Sequence, residues 1–368
     1  MVRLNVLSLF DGMSGGQIAL RELGVTVNKY YASEIDKFAI AQTQFNFPDT
    51  IQLGDVERWR EWDIDWAKVD LLLAGSPCQG FSFAGKQLAF SDPRSRLFFV
   101  FVDILNHIRS LNPDVKFLLE NVNMKRDHLR VISEYCGVFP VRINSNLVSA
   151  QNRDRYYWTN IRTKQTGLFG EIYSDIPQPE DRGIFLRDIL EEEVGEKYYL
   201  SENAIKGMLR RNEHNQEVRK GFRTYFSTGN DKSNTILGRY YKDGKEQLIC
   251  VAMRGRETGQ ELEPNYTGKT NCLTSAQKDN PIMQLGRGKN KGGVHSEKAP
   301  TLSANTWEQN NLLQTDCRIR RLTPDECAKL QTIPFWYLWT CSNTQQYRML
   351  GNGWSIAVIV HILKYLLK

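Results

Sequence analysis

The segment Gly75-Ser76-Pro77-Cys78-Gln79-Gly80 sets a cysteine beside a proline and between two glycines, directly after the apolar run Val69–Ala74. Cysteine is usually a small buried hydrophobe. One delivered to a shaped turn at the end of a buried strand is placed to act as a nucleophile, because its thiolate is intrinsically reactive. A helix N-terminus or nearby cations would raise the thiolate fraction. Glu120 ends another apolar run, Phe117-Leu118-Leu119. Burial can keep such a carboxyl protonated near neutrality, which suits a general acid. Gln151-Asn152-Arg153-Asp154-Arg155 carries two arginines at i, i+2, on one side of an extended chain. Alone, an Arg-x-Arg more often marks a solvated surface strand.

A second constellation points to a bound nucleoside. Phe10-Asp11-Gly12-Met13-Ser14-Gly15-Gly16 joins a strand pattern to a helix pattern, and its glycines allow close approach to the backbone. Glu34 is placed to hold a ribose diol, and Asp55 to accept from an adenine amino group. Neither G-x-G-x-x-G nor G-x-x-x-x-G-K-[ST] is present, so a dinucleotide-dependent oxidoreductase and a P-loop enzyme are disfavoured. A nucleoside cofactor without an obligatory phosphate remains, and S-adenosylmethionine is the natural candidate. Taken separately, each acid reads as an exposed surface residue.

The elements that must position these residues alternate. Val2–Phe10, Tyr30–Ser33, Val69–Ala74 and Val115–Leu119 read as strands; Gly15–Leu23, Lys37–Phe45 and Leu97–Arg109 read as helices. Such alternation predicts a mostly parallel α/β sheet covered on both faces, with ligands in the crevice beyond the strands' carboxyl ends. Phe10, Glu34, Asp55, Cys78 and Glu120 all fall near such ends. From about Gly183 the pattern gives way to short β-type pieces, and after Arg318 helical patterning returns. Thr323 is placed to cap a helix with Glu326 completing a capping box, and Trp354–Leu367 reads as a closing helix. The expected division is 1–185 for the catalytic domain, 186–317 for a smaller β-rich domain, and 318–368 for a segment returning to the first.

Charge separates the two domains. Between Lys206 and Lys298 there are 18 Lys+Arg against 10 Asp+Glu, so the rest of the chain is slightly acidic although the whole carries +6. The same stretch holds 12 of the 27 glycines. A basic, glycine-rich module joined to a near-neutral one suggests polyanion binding, with an ordinary solvated surface as the equal alternative. Asp231-Lys-Ser-Asn-Thr-Ile-Leu, Gly268-Lys-Thr-Asn-Cys-Leu-Thr and Glu297-Lys-Ala-Pro-Thr-Leu-Ser are related turn–strand pieces, too irregularly spaced for a solenoid. The seven cysteines are scattered without a CxxC pair, against a disulfide framework or zinc site. No apolar run is read as spanning a bilayer and no signal peptide is read at the start. A cytoplasmic monomer without membrane contact is expected.

In order and spacing, these motifs resemble those of the DNA (cytosine-5)-methyltransferases. The resemblance rests on Phe10-Asp11-Gly12, Glu34, Asp55-Val56, Gly75–Gln79, Glu120-Asn121-Val122, Gln151–Arg155, Arg321-Leu322-Thr323-Pro324-Asp325-Glu326 and Leu350-Gly351-Asn352, which together cover nearly the whole chain. Pro77-Cys78-Gln79 followed by Gly85-Lys86-Gln87 is similar to the bacterial and phage members. "LSLFDG", "YYASEID" and "RSRLFFVF" are similar to the catalytic domain of the eukaryotic de novo enzymes.

The resemblance implies a Rossmann-like S-adenosylmethionine-dependent sheet, a target-recognition domain, and duplex DNA as substrate. It implies that Cys78 attacks C6 of a flipped cytosine, that Glu120 holds or protonates N3, and that Arg155, less directly Arg153, binds the base O2 and its surroundings. By the same match Phe10, Asp11, Gly12, Met13, Gly15, Glu34, Ile35, Asp55, Val56, Gly75, Pro77, Leu97, Asn352 and Trp354 line the S-adenosylmethionine pocket. Gln79, Ser82, Lys86 and Gln87 belong to a loop that closes over the base. Thr301 contacts backbone near the flipped nucleotide, Gly292-Gly293 forms a recognition loop, and Arg254, Arg256, Arg287, Lys289 and Lys291 are candidates for groove or phosphate contacts.

Two residues depart from the family pattern: Ser14 stands where glycine is common, and Ile35 follows Glu34 where many members carry Trp. A cognate restriction endonuclease acting on the same site is an expected partner. A tRNA cytosine-5 methyltransferase and a catalytically silent DNA-binding protein are the alternatives. The large basic domain argues against the first, and the presence of Cys78, Glu120 and Arg155 argues against the second.

Overall fold

The computed structural model describes residues 3–75, 96–166, 170–201, 203–205, 207–208, 210, 226–227, 229–244, 247–256, 259–263, 282–284, 293–295, 311–313 and 317–367. The chain divides into two compact units. One comprises Met1–Ile184, Thr235–Tyr241 and Cys327–Lys368; the other comprises Phe185–Asn234 and Lys242–Glu326.

The first unit is built on seven strands: β1 (Arg3–Leu9), β2 (Thr26–Ser33), β3 (Ile51–Gln52), β4 (Leu71–Gly75), β5 (Lys116–Val122), β6 (Val141–Asn144) and β7 (Asp154–Thr159), in the order β3-β2-β1-β4-β5-β7-β6. β3, β2, β1, β4 and β5 pair in parallel, whereas β7 lies antiparallel between β5 and β6. The expected parallel α/β sheet is present. The antiparallel pair β6–β7 escaped the sequence reading, because Val141–Asn144 is too short to carry a periodicity of its own.

Side-chain alternation buries both faces of the sheet. Leu7, Leu9, Leu72, Ala74, Phe117 and Leu119 pack with Phe98, Phe101, Ile104, Leu105 and Ile108 of helix α3 (Arg96–Leu111) and with Ile132 and Cys136 of α4 (Arg126–Cys136). On the other face Gly16, in helix α1 (Gly15–Glu22), has no room for a side chain: a Cβ there would stand 2.5 Å from Leu73 and 2.6 Å from the Tyr30 hydroxyl. At Gly15 a Cβ would come only into ordinary contact with Ile356 and Trp354, at 3.4 and 3.6 Å. Helix α2 (Lys37–Asn46) starts at an Asp36 cap and ties down the Leu338 backbone through Gln42 and Asn46.

The expected closing helix, Trp354–Leu367, is present as Ile356–Leu363 continued by a 3-10 turn at Lys364–Leu367, starting two residues later than expected. Asn343–Leu367 has the length and mean hydropathy, 1.4, of a membrane-crossing helix. It is instead two helices, Asn343–Asn352 and Ile356–Leu363, interrupted at Gly353-Trp354-Ser355. Val358, Ile359, Ile362 and Leu363 of the second are fully buried or nearly so.

In the second unit, Leu248–Arg256 pairs in parallel with Phe226–Ser227, and antiparallel with Gly259–Glu263 and Cys317–Arg321. Ile282–Gln284 pairs antiparallel with Gly293–His295 and Asn311–Leu313. The predicted capping box is formed: Thr323 N donates to Glu326 Oε2 at 2.8 Å and Glu326 N donates to Thr323 Oγ1 at 3.1 Å. The same carboxylate accepts two hydrogen bonds from Arg320, at 2.7 and 2.6 Å, in a pair only 2% and 0% exposed. A bidentate fork satisfies both buried charges at once.

Candidate active site

The strand register brings the predicted residues to one edge of the sheet. Leu9 pairs with Ser33 and with Ala74, and Gly75 pairs with Glu120. The residues that follow β1 and β2, namely Phe10 and Glu34, therefore share an edge with Gly75 and Glu120. Asp55 follows β3 and caps a short 3-10 helix at Val56–Glu61 by accepting from Glu57 N at 3.0 Å.

The turn after β1 is tightly wound. Phe10, Gly12 and Ser14 all lie at positive φ, 57°, 59° and 65°. Left-handed backbone explains why glycine suits position 14, since an L side chain there costs roughly 1 kcal/mol. Ser14 Oγ accepts from Gln17 Nε2 at 2.9 Å, a local compensation. Glu34 closes the turn from the other side. One carboxylate oxygen accepts from Gly12 N at 2.8 Å, and the other from Ile35 N and Asp36 N, each at 2.8 Å. A carboxylate has about four acceptor directions, so room remains for a ligand hydroxyl. Ile35 projects outward, 75% exposed.

Asp11 faces inward. Its Oδ1 accepts from the Tyr30 hydroxyl at 2.9 Å, while Oδ2 is buried without a hydrogen-bond partner. Burial pushes its pKa up to about 6; the Glu34 charge adds to the rise, and the Ser8, Ser14 and Tyr30 hydroxyls oppose it.

These residues fit a nucleoside cofactor. Among the described residues, nothing would lie within 4 Å of a Cβ at Gly12 or at Gly54, which leaves the turns beside Glu34 and Asp55 open. Trp354 lies over Gly75, where a Cβ would stand 2.9 Å from its Nε1. Val56 and Met13 are buried, Leu97 is half-buried, and Asn352 lies against Gly238. Met13 also offers its carbonyl to the Tyr337 hydroxyl at 2.9 Å.

The residues expected to be catalytic at this edge lie on β5 and β7. Glu120 opposes Tyr157, and Val122 opposes Arg155, so Glu120 and Arg155 are diagonal neighbours on one face. Arg155 Nε approaches Glu120 Oε1 to 2.9 Å, with the side chains 11% and 12% exposed. Its N–H is not aimed along that contact, which makes it a close ion pair rather than an aligned hydrogen bond. Arg155 also donates to its neighbour's carbonyl, Asp154 O, at 2.8 Å. Tyr157 is buried beside the pair, and burial with the Glu120 charge pushes its phenol well above the usual tyrosine range.

Arg153 is employed differently from Arg155. It is 5% exposed and donates to the carbonyls of Ile236, Gly351 and Gly353, the last at 2.8 Å. It thereby clamps the C-terminal end of helix Asn343–Asn352. Gln151, in the same motif, is fully buried with neither amide atom paired.

Pro77, Cys78, Gln79, Ser82, Lys86, Gln87, Arg287, Lys289, Lys291, Gly292 and Thr301 lie outside the described residues. Arg254 and Arg256 fall on the strand Leu248–Arg256, opposite Glu261 and Gly259, and Gly293 pairs with Gln284. Sequence reasoning missed Tyr30, Tyr157 and Tyr337. For Tyr157 a signal existed, the i, i+2 continuation of Arg153 and Arg155; for the other two nothing local marks a partner across the fold.

Comparison with known proteins matches the geometry. The family model for C-5 cytosine-specific DNA methylases covers residues 4–368. The chain is 30% identical over 371 residues to the type II methyltransferase M.HpaII of Haemophilus parainfluenzae, covering 97% of this chain and 87% of that one. It is 28% identical to M1.ScrFI of Lactococcus lactis subsp. cremoris, over 100% of this chain and 78% of that one. Among solved structures, the Entamoeba histolytica methyltransferase EhMeth superposes with a TM-score of 0.61 at 17% identity, covering 100% and 98% of the two chains. The chain belongs to the C-5 cytosine-specific DNA methylases, S-adenosylmethionine-dependent enzymes that methylate cytosine at C5 in DNA.

Proposed function

We propose that the enzyme acts through a covalent adduct between Cys78 and C6 of a cytosine flipped out of duplex DNA. One observation carries the reading. Gly75, three residues before Cys78, is in register with Glu120, and Glu120 is paired with Arg155 at 2.9 Å. The chain that leads to the thiol thus starts beside a carboxyl and a guanidinium held against each other. An aromatic C5 is a poor nucleophile until addition at C6 makes it enamine-like, so the Cys78 thiolate adds first and its electron pair moves into the ring. Glu120 holds a proton at N3 as that charge develops, and Arg155 orients Glu120 and binds the base O2. When bound, S-adenosylmethionine supplies the electrophilic methyl group for C5. Loss of the C5 proton then expels Cys78 by β-elimination.

Phe10, Asp11, Gly12, Met13, Gly15, Glu34, Ile35, Asp55, Val56, Gly75, Pro77, Leu97, Asn352 and Trp354 hold the cofactor in this reading, Glu34 at the ribose and Asp55 at the adenine. Arg153 serves as a positioning residue, because its guanidinium is spent on main-chain carbonyls. The second unit is the target-recognition domain. The +8 balance and glycine content of Lys206–Lys298 support this, and flipping a base costs a few kcal/mol that phosphate contacts must offset. Arg254, Arg256, Arg287, Lys289, Lys291, Gly292, Gly293 and Thr301 are its proposed DNA contacts, and Gln79, Ser82, Lys86 and Gln87 of the loop after Cys78 are those of the first unit. We place the enzyme in the cytoplasm, as a monomer serving alongside a cognate endonuclease.

Labelled cofactor offered with plasmid DNA or tRNA tests the substrate: label should enter DNA, and entry into tRNA alone would overturn the reading. Cys78→Ser should abolish transfer while DNA binding persists, and Glu120→Gln should lose most activity. Substantial turnover by Cys78→Ser would sink the covalent mechanism.

A further inference from the structure

The turn after β1 is held by a residue from the far end of the chain. Three of the five residues Phe10–Ser14 lie at positive φ. Backbone wound in this way persists only where its surroundings over-determine it. Three side chains from other elements reach its main chain. Glu34, after β2, accepts from Gly12 N at 2.8 Å, and Thr43 of α2 donates to Gly12 O at 3.3 Å. The third is Tyr337, whose hydroxyl donates to Met13 O at 2.9 Å in a buried contact.

Tyr337 belongs to Ile333–Trp339, a stretch outside every strand and helix that is nonetheless firmly fastened. The Leu338 carbonyl accepts from Gln42 and Asn46, and Leu338 N donates to Asn46 Oδ1. Trp336 Nε1 donates to Glu22 Oε1 at 2.7 Å, with the Arg21 guanidinium 3.8 Å from the ring centroid. The Tyr337 ring lies edge-on to Trp339 at 5.3 Å and tilted against Phe47 at 6.5 Å. A hydroxyl carried on so fixed a ring needs little further ordering to stay aimed. Burial holds the phenol well above the usual tyrosine range, so it is a donor at any working pH. Met13 is also met on its other side, since a Cβ at Gly353 would stand 3.8 Å from Met13 Cε.

We propose that Tyr337 is a positioning residue for the methyl donor: its bond to the Met13 carbonyl holds the turn in the form that receives S-adenosylmethionine. It acts through the turn rather than through contact with the cofactor. The proposal rests on the pocket assigned above to Gly12, Met13 and Glu34. Without the hydroxyl, Met13 O is buried with its donor gone and the turn relaxes. Ordering it again then falls to the cofactor as it binds. Cys78 and Glu120 belong to other elements, so the deficit appears in cofactor binding and not in the chemical step.

The test uses the full-length protein and S-adenosylhomocysteine, titrated calorimetrically well below the melting temperature of each variant. Tyr337→Phe keeps the ring and removes only the hydroxyl. Its Kd should rise roughly three- to tenfold, the worth of one hydrogen bond. The KM for S-adenosylmethionine should rise in step, while kcat at saturating cofactor and the KM for duplex DNA stay within about twofold. Trp336→Phe removes a neighbouring bond from the same stretch and should leave the Kd unchanged, whatever it does to the melting temperature. An unchanged Kd in Tyr337→Phe would overturn the inference. So would an equal rise in Trp336→Phe, which would trace the effect to the stretch as a whole. Glu34→Ala separates this inference from the pocket beneath it. If Glu34→Ala weakens binding and Tyr337→Phe does not, the pocket stands and the role of Tyr337 fails. If Glu34→Ala binds like the wild type, the pocket assignment fails and the inference falls with it.

Discussion

Replacing Asp11 by Asn should stabilise the protein at alkaline pH and do so far less at acid pH. Asp11 is held inside the turn after β1, with Oδ2 unpaired and Tyr30 donating to Oδ1. Ser8, Ser14, Tyr30 and Glu34 face it, and burial pushes its carboxyl from the ordinary 3.8 up to about 6. A carboxyl whose folded pKa is raised binds more protons in the folded state. Its contribution is most favourable below the unfolded value of 3.8 and is lost as pH rises through about 6. At 1.36 kcal/mol per unit, the ionised side chain costs about 3 kcal/mol at pH ~8, an upper value because the residue is only half-buried by surface area. Asn is neutral throughout and keeps an acceptor for Tyr30. Asp11→Asn should therefore raise the melting temperature by roughly 3–6 °C at pH ~8 and by about a third of that at pH ~4.5. Scanning calorimetry of both proteins at the two pH values checks this. An identical difference at both, or a variant less stable at the higher pH, would refute the assignment of a strained carboxylate to this turn.

Three further expectations follow from packing and charge. Glu326→Gln leaves Arg320 buried without its partner and should cost about 3–5 kcal/mol, read from the urea midpoint; the double change to Met at both positions should recover much of it. Gly351→Ala drives a Cβ into the main chain of Leu237 and Gly238, which no side-chain rotation can relieve. A loss above roughly 2 kcal/mol is expected in thermal melts, and a silent variant would contradict the close approach. Arg155→Lys keeps the charge but forfeits the planar fork beside Glu120, so single-turnover methylation should slow about 100-fold with cofactor affinity unchanged.

The fold and the placement of several candidate residues at one sheet edge were legible because their signals are local. Apolar runs such as Val69–Ala74 and Phe117–Leu119 announce buried strands, and acids or small residues at their carboxyl ends announce the crevice. The Thr323–Glu326 box could be read for the same reason: both partners lie within one turn. What stayed hidden is what the chain assembles over long distances. Arg153 finds its acceptors 83 to 200 residues away, and Tyr337 reaches Met13 across 324. No periodicity marks such partners, so an arginine used to hold a helix end reads in sequence like one that meets substrate. Trp354 was assigned to a helix by its apolar neighbours. In the fold it sits in the break before that helix, where the missing side chain at Gly75 leaves room for the indole.

The packing of Gly15 against Trp354 and Ile356 also sets a clock on biosynthesis. The first helix docks on a segment made some 340 residues later, and at roughly 5–20 residues per second the ribosome needs about 20–70 s to deliver it. Throughout that interval the turn that would embrace the cofactor lacks its indole wall, and Arg153 lacks the carbonyls of Gly351 and Gly353. The nascent chain thus carries Cys78 and Glu120 long before it can assemble a site around them. DNA beside the translating ribosome meets a methyltransferase only after its last helix has emerged.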